Sequence, residues 1–213
     1  MVRKILKTVP EEQLQPDLER YRRRAIELGA TDAMVIAATD VVIDERVLAK
    51  CTYPRCPNYG TSVNCPPYAM SLDEIRKVVN NFRYAIFIKL EVPPRLIAGR
   101  DAIDQKGIRA YKIKLAEVVA RLEAEAFYDG YHLALGFGSG ACKPAFCPTR
   151  ECSALVPGQS CRHHLRARAA MEAVGMDVFT MAIRAGWDIY PIGESTSPSE
   201  IPYGLRLGLV LIY

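Results

Sequence analysis

Seven cysteines in two tight groups constrain this chain more than any other feature of its sequence. Cys51, Cys56 and Cys65 are spaced C-x4-C-x8-C, and much later Cys142, Cys147, Cys152 and Cys161 are spaced C-x4-C-x4-C-x8-C. Cysteines that only pack sit singly in apolar segments, because a free thiol behaves as a small hydrophobe. These stand among turn residues instead, in Cys51-Thr-Tyr-Pro-Arg-Cys56-Pro-Asn-Tyr-Gly60 and in Cys142-Lys-Pro-Ala-Phe-Cys147-Pro. Their number is odd, and the basic stretch from Met1 to Lys7 leads into Pro10-Glu11-Glu12 with no apolar run of a secretory signal. The expectation is a cytoplasmic protein in a reducing compartment, whose thiols serve metal or redox chemistry rather than disulfides.

Length and composition narrow the architecture. At roughly 150 residues per domain, 213 residues favour one domain spanning 1–213. Half the residues are apolar, 24% are charged and the mean hydropathy is +0.00, which excludes a disordered tail, a collagen-like repeat and a coiled coil. No apolar run approaches the roughly 18 residues of a membrane span. A net charge of +4 gives no reason to expect nucleic acid. The basic run Arg20 to Arg24 reads as a solvated helix face.

Local patterns predict the elements. Pro16 can open a helix whose apolar stripe is Leu18, Tyr21, Ala25 and Leu28, stopped by Gly29. Ala33 to Ala38 and Val41 to Ile43 are short β-type runs, forming a hairpin or two extended segments. Ser71-Leu-Asp-Glu74 is a capping box for a helix to about Phe82, and Tyr84 to Val92 is a strand closed by Pro93-Pro94. A long helix from about Asp101 to Tyr128 carries Ile108, Tyr111, Leu115, Val118, Leu122 and Ala126 on one face. Then come a strand over Tyr131–Phe137, a helix over Arg166–Val174 capped by Gly175, and a terminal strand over Leu205–Tyr213. The sum is an α/β domain: a mixed β-sheet flanked by helices, with two cysteine-bearing loops at strand ends.

Thiolates are soft ligands and select zinc or iron–sulfur centres. Structural zinc sites are built from knuckles with two to four residues between paired ligands, and this chain has no C-x2-C. A cubane is wider than one ion and suits gaps of four followed by a longer arm. Cys142, Cys147, Cys152 and Cys161 supply a full set for one [4Fe-4S] cluster. Cys51, Cys56 and Cys65 supply three ligands for a second centre, which leaves an iron open or takes a fourth ligand from His132, His163 or His164. A single centre that mixes the two groups is a third arrangement, and structural zinc is the alternative occupant. Cys-Pro follows at Cys56, Cys65 and Cys147, as it does in the ferredoxin cluster run. Gly138 and Gly140 let backbone approach a cofactor. Arg162, Arg166 and Arg168 beside Cys161 either offset the charge of a thiolate-ligated centre or form a docking patch for a redox partner or a small anionic substrate. No Ser/His/Asp set or carboxylate pair points to another reaction.

The motif from Cys51 through Cys56-Pro-Asn-Tyr-Gly60 to Cys65-Pro-Pro67, followed by a helix and a strand, resembles the N-terminal signature of an uncharacterised prokaryotic family of predicted metal-binding proteins. Cys161-Arg-His-His164 and Met171-Glu-Ala-Val-Gly-Met-Asp-Val178 resemble that family's C-terminal signature. The resemblance implies a metal or iron–sulfur protein and supplies no established reaction. The chain departs from the pattern in its four-residue gaps, where the family more often has two, and in His164, where proline is usual.

Overall fold

The computed structural model describes residues 2–100 and 106–213. Helix α1 (Glu11–Glu27) begins behind Pro10, whose extended backbone ends the preceding segment, and carries Glu11 and Glu12 where the helix dipole favours acids. The expected start at Pro16 is therefore too late: Pro16 lies inside the helix. The expected stripe is buried, with Leu18, Tyr21 and Ala25 each at 0% exposure, and the helix ends at Gly29 in the left-handed region. Strand β1 (Asp32–Ala37) follows, and Val41 to Ile43 is a separate extended segment bridged at Ile43 to Met176, so the two runs do not form a hairpin.

Helix α2 (Glu45–Thr52) has no counterpart in the sequence reading. The capping box forms as read, Ser71 and Glu74 exchanging side-chain and backbone bonds, and starts α3 (Leu72–Val79). Strand β2 (Tyr84–Val92) has the expected ends. Helix α4 (Lys106–Tyr128) is the longest element; the expected start near Asp101 lies outside the described residues. Strand β3 (Leu135–Phe137) is shorter than expected, because Tyr131 and Leu133 belong to a turn in which Ala134 N–H bonds to Tyr131 O. Helix α5 (Cys142–Phe146) opens the second cysteine segment.

The helix expected over Arg166–Val174 is absent. Gly138 N–H bonds to Ala169 O and Met171 N–H to Gly138 O, so this stretch is drawn alongside the chain after β3, and only a 3₁₀ turn at Glu172–Val174 remains before Gly175. Helix α6 (Val178–Arg184) follows instead, capped by Asp177, whose carboxylate accepts from Phe179 and Thr180 N–H. Strand β4 (Gly204–Leu211) ends the domain.

The sheet order is β1-β2-β4-β3, and every named pair is antiparallel. Because strand side chains alternate faces, Ile86, Ile88, Leu90 and Val210 join α1 and α4 in one core. Ala85, Phe87, Leu207, Leu209 and Leu211 join α3, α6 and the 3₁₀ turn in another. Gly208 lets α4 come close: a Cβ there would stand 2.8 Å from Val119 Cγ2. Phe87 stacks on Trp187 with ring centroids 4.8 Å apart, and the indole N–H donates to Asp32. The α/β class is as expected, with the named strands forming an antiparallel rather than a mixed sheet, but the first cysteine group does not leave a strand end, since Cys51 lies in the last turn of α2.

The basic run on α1 is only partly a solvated face. Arg22 pairs with Glu19 and Arg24 with Glu27 and Glu125, while Arg20 reaches into a network with Asp17 and Asp129.

Candidate metal centre

The first group is built by backbone hydrogen bonds that fold the chain back on each cysteine. Asp44 caps α2 by accepting from Arg46 N–H at 2.8 Å, which brings Cys51 to the helix end. Cys56 N–H then donates to Cys51 O (3.0 Å), Gly60 N–H to Pro66 O (2.7 Å) and Cys65 N–H to Ser62 O (3.1 Å). Cys65 O accepts from Tyr68 and Ala69 N–H. Cys65 is buried, and Cys51 and Cys56 are half-buried.

The second group is held in the same way. Arg109 of α4 donates to Ala145 O at 2.8 Å and pins α5, whose first residue is Cys142. Cys147 N–H returns to Lys143 O, and Leu155 N–H to Cys152 O. Ser153 is buried and joins two arms of the loop: its hydroxyl donates to Ser160 O (2.8 Å) and accepts from Arg162 N–H (3.3 Å), so Cys152 and Cys161 are tied together. His163 N–H donates to Cys161 Sγ at 3.4 Å. All four cysteines line one small pocket with Asn64, Phe146 and His163, and the Phe146 and His163 rings stack with centroids 5.3 Å apart.

The two groups adjoin along Ser62, Asn64 and Cys65. Asn64 Nδ2 donates to Cys142 Sγ at 3.6 Å. Ser62 Oγ is buried and has no partner of good hydrogen-bond geometry among the described residues, yet it lies close enough to the Cys65 and Cys142 thiols to favour their thiolates. Burial pushes the Cys142 thiol up, Ser62 and Asn64 oppose it, and Cys152 and Cys161 add to the rise. Burial also pushes Cys65 up, Ser62 opposes, and Cys142, Cys56 and Cys152 raise it further. Cys51 is raised by burial, then by Cys56, Cys65 and Glu172. Cys65 thus feels both groups.

All seven thiols are free. Together they are a soft donor set, suited to zinc or iron–sulfur, and each group carries dipoles or buried walls that a bound centre could use. Among the described residues, no three His, Cys, Asp or Glu side chains converge tightly enough to hold a single ion. Of the three histidines offered as fourth ligands, His163 lines the four-cysteine pocket, His164 is exposed with its ring on Cys161 O, and His132 lies in a different cleft with Tyr131 and Tyr213. Beside Cys51 stands Glu172 instead, which sequence reasoning missed although it occupies the Met171-Glu-Ala motif. Ser62 and Asn64 were also missed; the only signal was their place just before Cys65. Arg166 and Arg168 have carboxylate partners in Glu117 and Glu123, and Arg162 donates to Glu151 O.

No helix among the described residues is long and apolar enough to cross a membrane. No curated protein and no solved structure gives a significant match to this chain. One family model matches residues 34–212, a stretch that runs from β1 to the end of β4 and takes in both cysteine groups. The chain therefore belongs to the family described as Predicted metal-binding protein (DUF2284).

Proposed function

We propose that the metal is iron–sulfur: one [4Fe-4S] cluster on Cys142, Cys147, Cys152 and Cys161, and a second centre on Cys51, Cys56 and Cys65 with a position left open. The observation that carries this reading is the single pocket lined by all four C-terminal thiols. A zinc ion needs its sulfurs drawn to about 2.3 Å from one point, whereas a cubane spreads them over a wider body. All four thiols line one pocket, and among the described residues no three ligand side chains converge on a single ion.

When bound, such centres supply one-electron transfer and, at an open iron, a Lewis-acid position. The chain's own part is electrostatic and steric. Asn64 Nδ2–H at Cys142 and the His163 N–H at Cys161 withdraw charge from the sulfurs and favour the reduced state. Phe146 and the buried Ala167 wall the pocket from water. The exposed arm Arg162 to Arg166, with Leu165 at 73% exposure, is the route by which a redox partner would approach the four-cysteine centre. The protein works in a reducing compartment, the cytoplasm, where its thiols stay free.

Anaerobic purification followed by iron, acid-labile sulfide and zinc analysis tests this. The expected product is brown, with at least about four iron and four sulfide per chain. A colourless protein with zinc and no sulfide would overturn the iron–sulfur reading and leave a metal that only staples the two loops.

A further inference from the structure

A cavity of about 190 Å³ is lined by Arg206 of β4, Glu172 and Ser139, with Val178, Ile189 and Leu205 as apolar walls. Glu172 Oε2 and Arg206 Nε are both buried without a hydrogen-bond partner among the described residues. Arg206 Nη1 reaches Ser139 Oγ only at 3.5 Å. A third charge stands behind the turn: a Cβ on Gly140 would lie 3.2 Å from Arg206 Nη1 and 3.8 Å from Lys112 Cε, so both cations reach over the same glycine, whose φ of +67° suits its missing side chain.

The charges of this cluster do not balance. Among the described residues, Arg206 and Glu172 are the charges that act on Lys112, and Glu172 is the one that acts on Arg206. Among the described residues, no ion pair within 4.0 Å joins the three. Two half-buried cations share one carboxylate they do not touch, and an excess of positive charge drawn out of water is costly until an anion meets it. Water can satisfy hydrogen bonds here but cannot neutralise that charge.

We propose that this cavity binds a small organic anion, its oxyanion head on Arg206 and Ser139 with Lys112 behind, and a short apolar body against Val178, Ile189 and Leu205. The cavity lies below the roughly 300 Å³ at which drug-sized sites begin, so the ligand has few heavy atoms. The binding stands on the cavity alone. Its role as a substrate site rests on the open three-cysteine centre, which Glu172 adjoins through Cys51.

Isothermal titration of the purified, metal-loaded chain with acetate, butyrate and ethyl phosphate tests the proposal. Butyrate or ethyl phosphate should bind, the tighter of the two naming the head group, and butyrate should exceed acetate because its tail reaches the apolar wall. Lys112→Met and Arg206→Gln should each weaken the better ligand at least about tenfold, with metal content unchanged. Arg206 sits on a central strand, so Lys112→Met decides the matter if Arg206→Gln does not fold. Absence of heat for all three probes up to about 10 mM, or unaltered affinity in Lys112→Met, overturns the proposal. Metal content, measured on the same samples, reports on the iron–sulfur reading separately.

Discussion

Under α1, two aspartates meet two arginines; near the cysteines, one glutamate faces an arginine and a lysine. Asp17 accepts from Arg3, Arg20 and the Tyr131 hydroxyl, and Asp129 accepts from Arg20 and the Tyr21 hydroxyl. Burial, then the neighbouring carboxylates, raise the two tyrosines and keep their hydroxyls as donors. Every charge there is answered, which marks a structural joint between α1 and the turn after α4. In the other cluster Glu172 and Arg206 keep buried atoms that have no partner among the described residues, and the neighbouring thiols disfavour one another's ionised forms. Native chains rarely leave buried polar groups unsatisfied. On the proposed reading, the contrast separates a region complete in itself from one completed by something bound.

The largest expected effects lie in the open region and concern metal rather than fold. On the proposed iron–sulfur reading, Cys152→Ala should remove the four-thiol centre and its visible absorbance, while Cys65→Ala should remove the second centre and only perturb the spectrum of the first, because Cys142 acts on Cys65 and Ser62 acts on both thiols. Iron per chain and absorbance check this; an equal loss from both variants would point to one mixed centre. Next comes the closed network. Asp17→Asn leaves Arg3 and Arg20 with fewer acceptors, and should cost about 2 kcal/mol at pH 7, below the usual 3 kcal/mol or more for breaking a buried pair because both arginines are over one-third exposed. Burial lifts the Asp17 carboxyl, but Arg3, Tyr131 and Arg20 outweigh it and hold it below its usual value. Its contribution is therefore complete above the unfolded value of about 3.9 and fades as pH falls through the folded one. Urea titrations of both proteins should converge in acid; a constant gap would refute the assignment.

Features written in neighbouring residues were legible, and those made by distant ones were not. The β-branched run ending at Pro93-Pro94 gave β2 its ends, and the capping box gave α3 its start. The apolar stretch up to Val174 looked helical, yet its residues are buried by pairing with the chain at Gly138, a contact no local period encodes. Helix α6 carried a readable signal, Asp177 before Val178, Met181 and Ala182, but it is only seven residues long. The two cysteine groups could be read from spacing, while their meeting at Ser62, Asn64 and Cys65 depends on how the strands pair. Lys112, Arg206 and Glu172 come from α4, β4 and a 3₁₀ turn, and no motif links them.

The smallest expected effect sharpens the comparison most. Glu172→Gln keeps the shape of the side chain and removes its charge. Burial pushes this carboxyl above its ordinary value, and the backbone N–H groups of Glu172 and Gly140, Arg206 and Lys112 only partly offset that, with Cys51 adjoining from α2. A carboxyl raised by folding costs stability once pH climbs above its unfolded value, the reverse of Asp17. The Gln variant should therefore stay within about 1 kcal/mol of the parent, and its relative stability should improve from pH 5 to pH 8. Melting temperatures across that range give the slope directly. A loss comparable to that of Asp17→Asn, shrinking toward acid, would mean that Glu172 is as fully paired as Asp17, and the difference between the two regions would disappear.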